Sequence, residues 1–310
     1  MNKIKCSICE KNNNVLRHKI TNINDTFKLY LCKNCNHLFV HPIPKKDILE
    51  NYYKNLFSLP PNQEIKVKNK IKYIMNSIDF DLNKKRILEI GYGGGFLINE
   101  FIKNNYYIEG IDICNKNKKL EQLGIKLYEG EITNKNFKPI KKYDIIIMLD
   151  VVEHIADLNS YFRKINLILK KNGYLIITTP NLNSLNYSLL GKFWNWLSPP
   201  GHLNYFSKKS INILFKNNNF DLTTFKTWKG DEDKSIVTMI FKLPFTICLY
   251  YLKFFLLIFF KKKIKLINNN SRKLDYKKVN YFNDNYGFFE KFLYNSKNGP
   301  EMFVVGKKLK

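Results

Sequence analysis

Apolar and polar positions along the middle of the chain change period in alternating blocks. Short apolar runs predict strands at 86–90, 107–112, 125–128, 143–149 and 173–179. Tyr143-Asp144-Ile145-Ile146-Ile147-Met148-Leu149 is apolar almost throughout, as a strand buried on both faces of a parallel sheet would be. Between strands the spacing turns helical, notably at 95–104 and 158–171. In the second helix Leu158, Tyr161, Phe162, Ile165 and Leu169 form one stripe, Asp157 is placed as N-cap, and Asn172-Gly173 is expected to close it. Alternating strands and helices imply a doubly wound α/β domain, which binds ligands beyond the carboxyl ends of its strands.

The flanks read differently. Residues 1–44 carry short β-like stretches at Val15–Ile20 and Thr26–Tyr30, and end in a linker marked by Pro42 and Pro44. A helical lid or linker follows over 45–82, with Ile71, Ile74, Met75 and Ile78 on one face. The core is read as 83–227. Its 181–205 insertion holds Tyr187, Phe193, Trp194 and Trp196, enough aromatic area to wall a large acceptor.

Residues 228–300 are an apolar and Lys/Asn-rich elaboration. Within it 243–260 is almost wholly apolar and Lys261-Lys262-Lys263 follows. As a helix it would span about 27 Å, short of the roughly 30 Å of a bilayer core. Lys253 in its middle would cost on the order of 3 kcal/mol to insert. The expectation is peripheral contact with a membrane face through 243–263, a buried helix or dimer surface being the rival.

Two chemistries stand out. Ile87-Leu88-Glu89-Ile90-Gly91-Tyr92-Gly93-Gly94-Gly95-Phe96 runs from a strand into a glycine-rich turn that lets backbone approach a ligand closely. Asp112, about twenty residues on at a second strand's end, is placed to hold a ribose. The loop alone would serve a nicotinamide dinucleotide, a flavin or S-adenosylmethionine. An acid at Glu89 is awkward beside a pyrophosphate and useful beside an ammonium, which favours the last. In front, Cys6-x-x-Cys9 and Cys32-x-x-Cys35 supply four thiolates with the spacing of a closed, structural zinc site. So small a subdomain needs a metal to fold. Cys114 and Cys248 fall outside the pattern and read as small apolar residues.

Composition narrows the rest. A 310-residue chain that is 45% hydrophobic buries a full core. The net charge of +26 comes nearly all from lysine spread through every segment, and only Arg17, Arg86, Arg163 and Arg272 are arginines. Nucleic-acid readers favour arginine forks, so nucleic acid is an unlikely partner. No apolar core of signal-peptide length follows Met1, and a cytoplasmic protein is expected.

Taken together these motifs resemble class I S-adenosylmethionine-dependent methyltransferases, in particular a bacterial group with a cysteine-rich N-terminal segment. The matching pieces are Ile87–Phe96, Gly110-Ile111-Asp112, Tyr143–Asp150 with Val151-Val152-Glu153-His154-Ile155, and Tyr174–Asn181. Gly201-His202-Leu203-Asn204-Tyr205-Phe206-Ser207 and Leu31-Cys32-x-x-Cys35-x-x-x-Phe39 continue the match. The resemblance implies a mostly parallel seven-stranded sheet with 301–310 as its final strand. It also implies that Gly91, Gly93, Gly95, Asp112, Glu131, Ile132, Leu149, Asp150 and Glu89 line the cofactor.

For the chemistry, methyl transfer needs alignment and a base for the acceptor hydroxyl. His154 and His202 are both candidates; His18, His37 and His41 belong to the cysteine region. Asp150-x-x-Glu153-His154 equally resembles the cluster by which quinone-biosynthetic O-methyltransferases hold a divalent ion. A saccharide or glycan acceptor, free or lipid-linked, is the expected substrate. Aromatic O-methylation is the alternative, and a non-catalytic or nucleic-acid-binding module the reading of another class.

Overall fold

The computed structural model describes residues 4–21, 25–49, 52, 81–113, 117–228 and 298–310. The lid helix expected over 65–78, the apolar run 243–260, Cys114 and Cys248 lie outside them. No helix among the described residues is long and apolar enough to cross a membrane.

Strands β1 (Asn14–Thr21), β2 (Thr26–Cys32) and β3 (Leu38–Val40) precede the core. The core contributes β4 (Ile87–Ile90), β5 (Ile108–Asp112), β6 (Leu127–Glu129), β7 (Tyr143–Leu149) and β8 (Leu169–Pro180). The last strands are β9 (Asn204–Tyr205), β10 (Phe220–Trp228) and β11 (Glu301–Lys308). Helices α1 (Phe96–Lys103), α2 (Lys118–Gln122), α3 (Leu158–Ile168), α4 (Leu185–Leu190) and α5 (Lys208–Asn217) connect them.

Seven strands form the main sheet in the order β10-β11-β8-β7-β4-β5-β6. It is parallel from β8 to β6, and β11 enters antiparallel between β8 and β10. The expected seven-stranded, doubly wound sheet is therefore present, with its last strand at 301–308. Strand parity builds two cores. Leu88, Ile90, Ile146, Met148, Leu175 and Ile177 face one side. Ile87, Ile145, Ile147, Tyr174 and Ile176 face the other. Covering both faces is why these runs read as continuously apolar. Strand order reverses at β4, between β7 and β5, which opens a crevice at their carboxyl ends.

The second helix is shorter than its periodicity suggests. Asp157 caps it as expected, its side chain accepting from the Ser160 amide. The helix stops at Ile168, however, because buried Leu169 turns extended and pairs with Tyr143 at the start of β8. Asn172 at φ 60° and Gly173 then lie inside the strand, at an irregularity in the β7–β8 pairing. A Cβ on Gly173 would come within 2.9 Å of the Asp144 carbonyl oxygen. The glycine serves that close approach rather than helix termination.

At the opposite edge from the crevice, one polar network is sealed in. Glu109 is fully buried and accepts from Arg86 Nε at 3.0 Å and Nη2 at 2.6 Å, Tyr107 at 2.7 Å, Tyr143 at 2.5 Å and Tyr128 at 3.2 Å. Burial pushes its carboxyl up, but the bonds from Tyr143, Tyr107 and Arg86 outweigh that and hold it below the usual carboxylate range. A carboxyl lowered in the folded state gives stability above its unfolded pKa that is lost as pH falls. Removing the acid would strand the Arg86 guanidinium. Glu109→Ala should therefore lower unfolding free energy by on the order of 3 kcal/mol in urea titrations at pH 7. The wild-type advantage should shrink as the titration is repeated toward pH 3.

Candidate active site

The turn after β4 is built from glycines at positive φ: Gly91 at 73°, Gly93 at 49° and Gly95 at 73°. A Cβ on Gly91 would strike Val151 Cγ2, and one on Gly95 would strike Leu120 Cδ1. At Gly93 a Cβ would meet nothing within 4 Å, so that position faces open space above the sheet. The Gly93 amide donates to Asp112 Oδ2 at 2.9 Å, which pins the acid at the end of β5 beside the loop.

Glu89 lies one strand over. Burial, and then repulsion from Asp112, push its carboxyl up to about 8, against the lowering bond from the Ile98 amide. Its Oε2 has no hydrogen-bond partner among the described residues. A ligand that brings an ammonium and hydroxyl donors satisfies both acids, whereas a pyrophosphate would add like charge. The pair therefore fits the amino-acid and ribose parts of S-adenosylmethionine.

The remaining expected cofactor residues divide. Leu149 and Asp150 end β7 at the crevice, with Asp150 held at φ 57°. The Asp150 amide donates to Thr178 Oγ1 at 3.0 Å, and its Oδ1 accepts from that hydroxyl at 2.7 Å. Past β6, Glu131 is exposed and its Oε2 accepts from the Thr133 hydroxyl at 3.0 Å, while Ile132 is fully buried in the core.

On the acceptor side the two candidate histidines meet. Their ring centroids are 4.8 Å apart in an edge-to-face arrangement. His154 Nδ1 lies 2.9 Å from the Gly201 carbonyl and His202 Nδ1 lies 2.9 Å from the Trp196 carbonyl. A carbonyl only accepts, so His202 Nδ1 carries the proton of the neutral ring and its Nε2 presents a lone pair, while the His154 ring meets the Asp150 carbonyl as well as that of Gly201. Burial and the neighbouring His154 bring His202 down to about 3. Burial lowers His154 as well. Buried Glu153 joins them, its Oε2 accepting from the Thr179 hydroxyl at 3.0 Å. One ligand atom from each of Glu153, His154 and His202 falls within 4.8 Å of the others. The sequence pattern grouped Asp150 with Glu153 and His154; the fold brings His202 to that cluster, while Asp150 is engaged with Thr178.

Two aromatic side chains complete this side of the cluster. Trp196 stacks on His202 at 5.7 Å. Tyr52 covers Gly201 so closely that a Cβ there would come within 2.5 Å of the phenol. Trp196 lies in the insertion read from sequence as an acceptor wall; which ring it meets, and the Tyr52–Gly201 contact, follow only from the fold.

The four N-terminal cysteines converge. All are free thiols, and their Sγ atoms lie within 4.8 Å of one another, with Cys6–Cys35 and Cys9–Cys32 each at 3.5 Å. Four sulfurs around zinc would sit roughly 3.8 Å apart. The donor set fits a closed tetrahedral metal site.

A family model described as a methyltransferase domain matches residues 66–224. The chain belongs to this family. It is an S-adenosylmethionine-dependent methyltransferase, in keeping with the loop and acid pair. It is 30% identical over 183 residues to a ubiquinone biosynthesis O-methyltransferase of Pelagibacter ubique, covering 52% of this chain and 76% of that one. To the protein of the same description from Rickettsia prowazekii it is 28% identical over 126 residues, covering 38% and 50%. It thus spans about half the length of the latter. Among solved structures, a SAM-dependent methyltransferase from Archaeoglobus fulgidus aligns over 84% of this chain and 99% of that one, at 15% identity and TM-score 0.49.

The raised Glu89 sets a proton-linked prediction. Near pH 7 the ligand-free carboxyl is largely protonated, and a bound ammonium favours its charged form. S-adenosylhomocysteine binding should release a proton and tighten between pH 6 and 8. Calorimetry in buffers of different ionisation enthalpy should show that release, and Glu89→Gln should abolish it. Asp112→Ala should weaken binding about tenfold or more, equal to about 1.4 kcal/mol.

Proposed function

We propose that the enzyme methylates a hydroxyl oxygen of a small aromatic acceptor of quinone-precursor type. The observation that carries this reading is the Glu153–His154–His202 cluster at the carboxyl end of β7. The named relatives, ubiquinone biosynthesis O-methyltransferases, weigh the same way and against the saccharide expectation.

The cluster suits a divalent cation better than a lone base. A general base works best with a pKa near the operating pH, and His202 lies far below that. His202 with its Nδ1–H held by a carbonyl, His154 and the buried Glu153 carboxylate instead offer three ligand atoms within 4.8 Å of one another. A divalent ion there would lower the pKa of an adjacent phenolic hydroxyl. The chain's own residues do the rest. Glu89 and Asp112 fix the donor's two polar ends, so the methyl faces the acceptor side. In-line displacement then depends on alignment, with Trp196 and His202 forming one wall. The Cys6, Cys9, Cys32 and Cys35 site we read as structural zinc, since four thiolates leave no open position.

Purified enzyme given labelled S-adenosylmethionine should add one methyl to a catechol and not to sugar nucleotides assayed in parallel. Glu153→Gln and His202→Ala should each cut kcat about 100-fold or more with S-adenosylhomocysteine affinity unchanged. Methylation of a sugar alone, indifferent to both substitutions, would overturn the assignment.

A further inference from the structure

Strand β9 is two residues long, and a strand so short cannot hold its own position. It is held from outside. Leu38 pairs with Tyr205 and Phe39 with Asn204, making β9 the fourth strand of the cysteine-bearing sheet β1-β2-β3-β9. The Val40 amide donates to the Leu203 carbonyl at 2.9 Å, and the Ser207 hydroxyl donates to the Cys35 carbonyl at 3.3 Å. The Tyr205 hydroxyl in turn donates to the His202 carbonyl at 3.1 Å. The segment carrying one cluster ligand is thus held from one side by the cysteine subdomain, and from the other by the core through Glu153 and Ile155.

At the join stands His37, fully buried between two aromatic rings. Its ring stacks on Phe39 at 5.3 Å and 24°, and on Phe206 at 5.3 Å and 18°. An apolar ring would fill that slot without the desolvation cost of an imidazole. The polar function lies at the edge: Nδ1 is 3.7 Å from Cys6 Sγ. A thiolate in the four-cysteine site would accept from that N–H, so one residue touches both the metal-ligand set and the ring that follows β9.

We propose that His37 is a positioning residue of the acceptor site, coupling closure of the four-cysteine cluster to the placement of His202. The coupling runs from Cys6 through the His37 ring to Phe206 and β9, and from β9 through Tyr205 to His202. It rests on the reading of His202 as an acceptor-side group. Cofactor binding lies outside it, since Glu89 and Asp112 belong to β4 and β5 and Gly93 to the turn after β4.

The test compares the full-length, zinc-loaded enzyme with His37→Phe and His37→Ala. His37→Phe keeps the stack and removes only the contact to Cys6, so it stays informative where His37→Ala fails to fold. Zinc content by mass spectrometry and S-adenosylhomocysteine affinity by calorimetry should stay within about twofold of wild type. The imidazole Cε1–H signal of His202, assigned by its loss in His202→Gln, should move. Catechol turnover should fall about 100-fold, as expected for a misplaced group, with KM for S-adenosylmethionine unchanged. A His202 signal and turnover at wild-type values in His37→Phe would overturn the coupling. Should wild type methylate no catechol, the acceptor assignment falls while the His202 signal still decides this one.

Discussion

The placement of His202 beside Glu153 and His154 depends on one strand pairing, β3 against β9. Through it a segment inserted after β8 becomes part of a sheet whose other strands come from the first 40 residues. The pairing is short, but it is reinforced where it matters. Asn204 Nδ2 donates to the Ile155 carbonyl at 2.7 Å, and the Leu203 amide donates to the Glu153 carbonyl at 2.8 Å. Glu153, His154 and His202 therefore share one backbone framework although 49 residues separate Glu153 from His202 in sequence. An arrangement built that way is rigid, which is what an in-line transfer asks of its walls.

The two edges of the main sheet use buried acids in opposite ways. Glu109, near the amino ends of the strands, is met by a guanidinium and three phenols and so stays charged at little cost. Glu89 and Asp112 lie at the carboxyl ends of β4 and β5, and burial, then repulsion from Asp112, raises Glu89. A satisfied acid holds the fold together. A buried acid with a raised pKa, as at Glu89, is a place for a cationic ligand.

Much of this was legible from the chain. The continuous apolar runs at β4, β5, β7 and β8 reflect burial on both faces, a property of each residue's own surroundings in the strand. The glycine loop, Asp112 and the two Cys-x-x-Cys pairs are local patterns whose chemistry requires that spacing. The Asp157 cap was equally local. The end of the second helix was misjudged because Leu169, though in phase with the helical stripe, pairs with Tyr143. A long-range strand contact outweighed periodicity there.

What the sequence by itself determined is the sheet, the glycine loop and the two Cys-x-x-Cys pairs, because each depends on residues close together in the chain. Only the tertiary structure decided that His154 and His202 lie together beside Glu153, and that Asp150 turns to Thr178. The same holds for His37, whose position between Phe39 and Phe206 no local pattern announces. These arrangements arise where segments distant along the chain are forced together by strand pairing, and their geometry is set by packing across that gap.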